Sequence, residues 1–138
     1  MYKRQDVLIT SKDKTVYTRF VNKLKKDAYL IEDLAFGRKK YNGISKIGRD
    51  GSGRRVDIMY TTPQEYPFAI LYFTGSKEFN QMMRQEANTK GYTLNEYNLE
   101  ELTEEKTVVD PNGEEIKTEK DIFGFLKMGY VEPWQREL

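Results

Sequence analysis

The sequence predicts an α+β fold: a partial mixed or antiparallel sheet flanked by helices, followed by a smaller unit of helix, short strands and a C-terminal helix. Short runs such as 54–60 alternate apolar and polar residues, which is the period of a strand. Other runs such as 79–87 repeat apolar residues every four positions, which is the period of a helix. Glycine and proline separate these runs, so the elements are expected to be short and distinct.

Composition limits the possible chemistry. The 138 residues suffice for one ordinary domain or two small lobes, and they include neither cysteine nor histidine. Disulfides, thiolate metal sites and a histidine general base are therefore excluded, and any metal must have oxygen ligands. No apolar run approaches the roughly 20 residues that span a bilayer, so we expect no membrane partner. The lack of cysteine favours an intracellular protein.

Charge is unevenly distributed along the chain. Residues 1–60 hold 15 Lys and Arg against 7 Asp and Glu, whereas residues 61–138 hold 8 against 15. This asymmetry indicates either a first lobe that faces a polyanion or chance clustering on exposed faces.

The first half of the chain predicts sheet strands around one helix. Val16, Phe20, Leu24 and Ala28 recur at four-residue spacing and would form the buried stripe of that helix. The other predicted elements are a strand at 6–10, an extended segment at 29–36, a basic loop at 37–43, a strand at 44–47, a turn at 48–53 and a strand at 54–60.

The second half opens with two helices separated by a glycine. An apolar helix begins at Pro67 and runs to Phe73, and a second, amphipathic helix restarts after Gly75 with Ser76 as its N-cap. The remaining expected features are a buried face of Phe79, Met83 and Ala87, a strand at 92–99, a hairpin at 108–116, a helix capped by Thr118 and Asp121, and a tail at 130–136 that packs through its aromatics.

Two aspartates are candidate metal ligands. Asp6 opens the first strand and Asp57 lies in the last strand of the first half, so both carboxylates can lie side by side on one sheet face. Oxygen-only ligation suits Mg²⁺, and two such ions about 4 Å apart would activate a hydroxyl and stabilise a leaving pyrophosphate. The alternative is that both aspartates are solvated or form salt bridges, for instance between Asp57 and Arg55.

Five motifs in register resemble those of the family X DNA polymerases, the group that includes DNA polymerase beta. They keep the family's order over nearly the whole chain after Gln5. They are Asp6-Val7-Leu8-Ile9-Thr10, Lys40-Tyr41-Asn42-Gly43, Arg54-Arg55-Val56-Asp57-Ile58, Leu71-Tyr72-Phe73-Thr74-Gly75-Ser76 with Phe79-Asn80, and Glu119-Lys120-Asp121-Ile122-Phe123 with Glu132-Pro133.

The resemblance implies a nucleotidyltransferase-type fold and a polymerase function. Residues 6–74 would be the C-terminal part of the palm, which is the catalytic domain, and residues 75–138 a small α/β thumb. The implied activity is DNA-directed DNA synthesis in gap-filling repair with a two-metal Mg²⁺ site. The implied partners are gapped or primer-template DNA and deoxynucleoside triphosphates, and the implied state is a monomer.

The resemblance also assigns roles to single residues. In the first half, Asp57 resembles the catalytic metal-binding carboxylate beside the primer end, Asp6 the acid that bridges both metals, and Arg55 the arginine that steadies the primer. In the second half it implies the following roles: Tyr72, Phe73, Gly75 and Ser76 lie against the nucleotide sugar with a cis Gly-Ser peptide, Asn80 reaches the incoming base, Arg84 touches the template, and Glu96 and Tyr97 support the closed thumb.

Simpler interpretations of the same residues remain. Tyr72 and Phe73 can be core aromatics, and Asn80 and Arg84 can be solvated helix positions. The lysines at 23–26 can be a solvated helix face, and the basic loop at 38–40 can bind DNA or water.

One catalytic position departs from the family. Arg4 stands where the family has the first acid of its Asp-x-Asp pair, so the first of three catalytic carboxylates is missing. We therefore expect a truncated chain, the second half of the palm plus the thumb, with an incomplete metal site. The alternatives are a minimal or template-independent nucleotidyltransferase and a non-catalytic DNA- or nucleotide-binding module derived from a polymerase thumb.

Overall fold

The computed structural model describes residues 4–46 and 53–137 and confirms the α+β class. The chain forms two compact units that divide between Thr62 and Pro63, while the predicted palm and thumb limits at 74 and 75 stay a prediction. The described elements are β1 (Arg4–Thr10), α1 (Thr15–Lys26), β2 (Leu30–Phe36), β3 (Lys40–Ser45), β4 (Arg54–Thr61), α2 (Tyr66–Thr74), α3 (Lys77–Thr89), β5 (Tyr92–Leu94), β6 (Leu99–Glu101), α4 (Glu119–Phe125) and a 3₁₀ turn (Pro133–Gln135).

The first unit is built on a mixed four-stranded sheet. Its strand order is β1-β4-β3-β2, with β1 parallel to β4 and the other neighbours antiparallel. The predicted alternation in β4 is confirmed, because Val56, Ile58 and Tyr60 are all buried in one cluster with Tyr17 and Val21 of α1. The opposite face of β4 therefore carries the polar side chains at positions 55 and 57.

The buried stripe of α1 differs from the expected one. Tyr17 and Val21 are buried, whereas Phe20 is 38% exposed and Ala28 lies beyond the helix with a φ of 64°. Tyr17 can be buried because its hydroxyl donates a hydrogen bond to the Gly37 carbonyl at 3.0 Å. That burial raises the pKa of Tyr17 to about 12.

The strand β3 begins earlier than expected. Residues predicted as the end of a basic loop belong to β3, and the strand predicted at 44–47 is observed as Lys40–Ser45. Position 43 of this strand requires glycine, because the Tyr41 ring occupies the space that a Cβ there would fill. The predicted turn at 48–53 lies, apart from Gly53, outside the described residues.

The second unit confirms the two helices around Gly75. Pro67 stands in the first turn of α2, as predicted, and Ser76 caps α3. Phe79, Met83 and Ala87 are almost completely buried and join the core of this unit, which confirms the predicted face of α3.

Two predicted strand segments of the second unit are only partly correct. Instead of one strand at 92–99, β5 and β6 form a short hairpin, because the Asn95 side chain accepts hydrogen bonds from the Tyr97 and Asn98 backbone N–H groups and turns the chain. Instead of a hairpin, 108–116 is a loop, whose N–H groups at 114–116 donate to the Asp110 carboxylate.

The end of the chain packs only partly as predicted. The Tyr130 ring meets the Phe123 ring edge-on at 5.3 Å, but Trp134 is 75% exposed. The predicted capping box of Thr118 and Asp121 is present at the start of α4. Among the helices that the structure describes, none is long and apolar enough to cross a membrane.

Candidate functional site

The two candidate acids lie opposite each other in the sheet. In the parallel ladder of β1 and β4, Asp6 is the direct partner of Asp57. Since both strands are in register, both side chains project from the same face. Asp57 is the more enclosed of the two, with 14% of its side chain exposed against 40% for Asp6.

A guanidinium group bridges these carboxylates. Arg4 Nε lies 2.6 Å from Asp57 Oδ2 and 3.1 Å from Asp6 Oδ1. The other oxygen of Asp57 accepts a hydrogen bond from Asn42 Nδ2 at 2.6 Å and lies 3.4 Å from Arg55 Nε. Each oxygen of Asp57 is therefore already engaged by a donor.

This arrangement does not fit a divalent metal. Mg²⁺ is usually held by one or two carboxylates with waters and substrate phosphates around it, but here both oxygens of Asp57 already face donor groups. In residues 4–46 and 53–137 no group of three Asp, Glu, His or Cys side chains could hold an ion, so a metal here would depend on these two carboxylates. Two arginine charges also offset the two carboxylate charges on this face of the sheet. The two aspartates that the resemblance assigns to a Mg²⁺ site therefore form an ion-pair cluster with Arg4 and Arg55 in this structure.

The second set of predicted residues begins at the turn between α2 and α3. Gly75 has a φ of 64°, which favours glycine, and the Gly75-Ser76 peptide bond is cis, as the resemblance implied. Ser76 Oγ accepts a hydrogen bond from the Phe79 N–H at 3.2 Å and donates one to the Arg136 carbonyl at 2.8 Å. The turn is therefore fixed from both sides.

Asn80 and Arg84 come together beside an exposed aromatic ring. Asn80 Nδ2 donates to the Tyr72 carbonyl at 2.8 Å, and the Arg84 guanidinium carbon lies 5.4 Å from the centroid of the Tyr72 ring. Arg84 also lies 3.8 Å from Glu96, and the Phe73 ring meets the Tyr72 ring edge-on. We call Tyr72, Asn80 and Arg84 the α3 face.

The α3 face is a surface rather than a pocket. Tyr72 is 40% exposed, and the cavity between Tyr72, Asn80 and Arg84 has a volume of only about 10 Å³, room for one water molecule at most. A ligand would lie across the ring and the guanidinium. Tyr97 belongs to the neighbouring β5–β6 turn, where its N–H donates to Asn95.

Arg136 is a further residue of this unit that sequence reasoning missed. Its guanidinium is fully buried and donates to both carboxylate oxygens of Glu119 at 3.1 Å. The rings of Phe79, Phe123 and Tyr130 surround it with centroids 5.4–5.7 Å away. A signal existed in the sequence, because a lone arginine in an aromatic tail can be an aromatic-caged cation.

Comparison with known proteins assigns the second unit. A family model described as "DNA polymerase beta thumb" matches residues 69–137, which contain the α3 face, Glu96, Tyr97 and Arg136. This chain belongs to the family X DNA polymerases. The family membership that the five motifs predicted is therefore confirmed.

Individual relatives agree with the family X assignment. DNA polymerase lambda of Rattus norvegicus is 33% identical in an alignment that covers 96% of this chain and 26% of the relative. DNA polymerase lambda of Arabidopsis thaliana is 28% identical over 96% of this chain and 28% of the relative. DNA nucleotidylexotransferase of Xenopus laevis is 34% identical over 59% of this chain. The chain thus spans about a quarter of the length of the curated polymerase lambda relatives it matches.

Family X polymerases generally use Mg²⁺, which makes the ion-pair cluster around Arg4 a departure within the family. The roles predicted for Asp6, Asp57, Arg55 and the residues of the second unit stay predictions, although the geometry groups them into two sets.

Proposed function

We propose that this chain supplies the thumb of a family X DNA polymerase that performs template-directed gap-filling repair, and that its α3 face contacts the nascent base pair. One observation supports this proposal: the Asn80 amide and the Arg84 guanidinium lie beside the exposed Tyr72 ring. All three residues fall within the range 69–137 that matches the thumb family model. The partners would be gapped or primer-template DNA and a deoxynucleoside triphosphate, in the nucleus or, for a viral or prokaryotic chain, the cytoplasm.

Each residue of the α3 face has chemistry suited to its proposed role. A tyrosine ring with Phe73 behind it presents an apolar surface to a sugar or base. The amide of Asn80 can both donate and accept toward a base edge. The guanidinium of Arg84 can bond a phosphate or a template base with its planar fork, steadied by Glu96.

In the complete reaction, a primer 3′-hydroxyl attacks the α-phosphate of the nucleotide, a new phosphodiester bond forms and pyrophosphate leaves. We propose that Asp57 and Asp6 belong to the centre for this reaction and that Arg55 lies near the primer end. The ion-pair cluster around Arg4 supports a second candidate, a non-catalytic DNA- and nucleotide-binding module. We therefore expect this 138-residue chain to bind DNA without extending a primer.

Binding to labelled one-nucleotide-gapped DNA, measured by fluorescence anisotropy with and without the matching nucleotide, tests this proposal. Asn80→Ala and Arg84→Ala should each weaken binding about fivefold to a hundredfold, in line with the loss of one good contact of about 1–3 kcal/mol. Lys77→Ala removes one positive charge from the same helix and should change binding far less than Arg84→Ala.

Two results would overturn the proposal. If Arg84→Ala and Asn80→Ala bind the DNA as tightly as the unmodified chain does, the α3 face does not contact it. Magnesium-dependent primer extension by the unmodified chain, lost in Asp57→Ala, would instead show a working catalytic centre and reject the non-catalytic module.

A further inference from the structure

We infer that Arg4 is the resident cation of the Asp6–Asp57 pair, and that this arginine, rather than a lack of carboxylates, prevents a divalent metal from binding there. The inference concerns the first unit only and does not depend on the α3 face. Its failure would therefore leave the proposed DNA contact untouched.

Strand geometry places Arg4 at the pair. Arg4 precedes Asp6 by two residues in β1, so both side chains project from the same face of the sheet. Arg4 is the ladder partner of Arg55, just as Asp6 is the partner of Asp57. The four side chains form a rectangle on two parallel strands, with the arginines at one end and the aspartates at the other.

The Arg4 contact blocks the oxygens that a metal would bridge. The Nε atom lies within 3.1 Å of one oxygen from each carboxylate, Asp6 Oδ1 and Asp57 Oδ2. A metal ion held between the two carboxylates would compete with the guanidinium for these oxygens. It would have to displace the guanidinium and then remain close to its positive charge, which costs energy at short range even beside solvent.

Arg55 provides an internal comparison. It carries the same charge on the same face, but its Nε lies 3.4 Å from Asp57 Oδ1, whereas Arg4 Nε approaches the other oxygen, Asp57 Oδ2, at 2.6 Å. Removal of Arg55 therefore leaves the bridge between the carboxylates intact. Removal of Arg4 opens the bridge while Asn42 still holds Asp57 in place.

Manganese binding to the full chain, measured by the loss of the free Mn²⁺ signal in electron paramagnetic resonance, tests the inference. Arg4→Ala and Arg4→Gln should bind Mn²⁺ at least about tenfold more tightly than the unmodified chain, a change of about 1.4 kcal/mol. Arg55→Ala should change binding less than about threefold, because the bridging oxygens stay occupied. The double variant Arg4→Ala with Asp57→Asn should lose the gain.

Arg4→Asp sharpens the test, since it adds a third carboxylate on the same face and should bind Mn²⁺ more tightly than Arg4→Ala. Circular dichroism would verify that each variant is folded, as expected for a residue whose side chain is 55% exposed. The inference is overturned if folded Arg4→Ala and Arg4→Gln show no gain, or if Arg55→Ala gains as much. It is also overturned if the unmodified chain already binds Mn²⁺ as tightly as Arg4→Ala in a way that Asp57→Asn abolishes.

Discussion

At the scale of single residues, two arginines make ion pairs that connect separate elements of the chain. Arg4 sits at the surface between two carboxylates, whereas Arg136 is fully enclosed by aromatic rings and the Glu119 carboxylate. The burial of Arg136 was not predicted, because arginine is usually an exposed residue. The roles of both arginines follow from tertiary contacts that connect distant parts of the chain.

Replacement of Arg136 should destabilise the chain strongly. Arg136→Met leaves the Glu119 carboxylate, 15% exposed, without its partner, and breaking a buried pair in this way costs about 3–5 kcal/mol. The double variant with Glu119→Met should recover part of that loss, since two apolar side chains can fill the aromatic cage. Urea denaturation followed by circular dichroism measures both changes.

Arg136→Lys is the matched control, because it keeps the charge and loses the two parallel hydrogen bonds. The free energy of unfolding of Arg136→Lys should lie between the values for the unmodified chain and Arg136→Met. A loss below about 1 kcal/mol in Arg136→Met would mean that the buried pair contributes no more than an exposed one.

At the scale of elements, periodicity predicted the strands and helices that have one clear buried face. The alternation in β4 and the four-residue repeat in α3 correspond to the core directly, and so both were predictable. Prediction failed where a side chain makes the turn or where pairing between distant strands decides the structure. Asn95 splits one expected strand into a hairpin, and pairing with β4 makes residues 40–43 part of β3 instead of the expected loop.

The hydrogen bonds that hold the loop 108–116 to the Asp110 carboxylate should contribute less to stability at acidic pH. Backbone N–H groups of Ile116, Glu115 and Glu114 hold the pKa of the Asp110 carboxyl below its usual range. Because the folded-state pKa is the lower one, this stabilisation is present above the unfolded pKa near 4 and is lost as the pH falls through the folded value. In urea titrations between about pH 6 and pH 2, Asp110→Asn should therefore lose less stability on acidification than the unmodified chain.

Glu104→Gln removes an exposed carboxylate from the same unit and serves as the control. Its stability should follow the unmodified chain across the same range. If Asp110→Asn also follows the unmodified chain at every pH, the carboxylate does not hold the loop.

At the scale of the whole molecule, the order of the motifs gave more information than local pattern. Five motifs in register indicated the family, which the thumb match and the relatives confirmed. They also showed that Arg4 replaces an acid, but not that its guanidinium would bridge Asp6 and Asp57. That contact requires the parallel register of two strands that lie about 50 residues apart in sequence.

The basic first half should make DNA binding dependent on salt. When binding depends on phosphate contacts, log Kd rises linearly with the logarithm of the salt concentration. Each phosphate contact that is removed lowers the slope of this line by about one. Alanine at both Lys26 and Arg38, which are exposed in the first unit, should therefore flatten the slope by up to about two.

Alanine at both Lys77 and Lys117, from the second unit, removes the same charge and should leave the slope nearly unchanged. Anisotropy titrations from about 50 to 200 mM salt measure both. If the unmodified chain and both double variants show the same slope, the charge asymmetry reflects chance clustering on exposed faces and not DNA binding.

The bond between Ser76 and the Arg136 carbonyl spans 60 positions of the chain. During synthesis from the N-terminus, α2 and α3 leave the ribosome long before the arginine that completes their core. Until then the cage of Phe79, Phe123 and Tyr130 has no cation at its centre and the Glu119 carboxylate has no partner. The second unit therefore reaches its final packing only once Arg136 has emerged, and a chain cut before that residue would leave the unit incompletely folded.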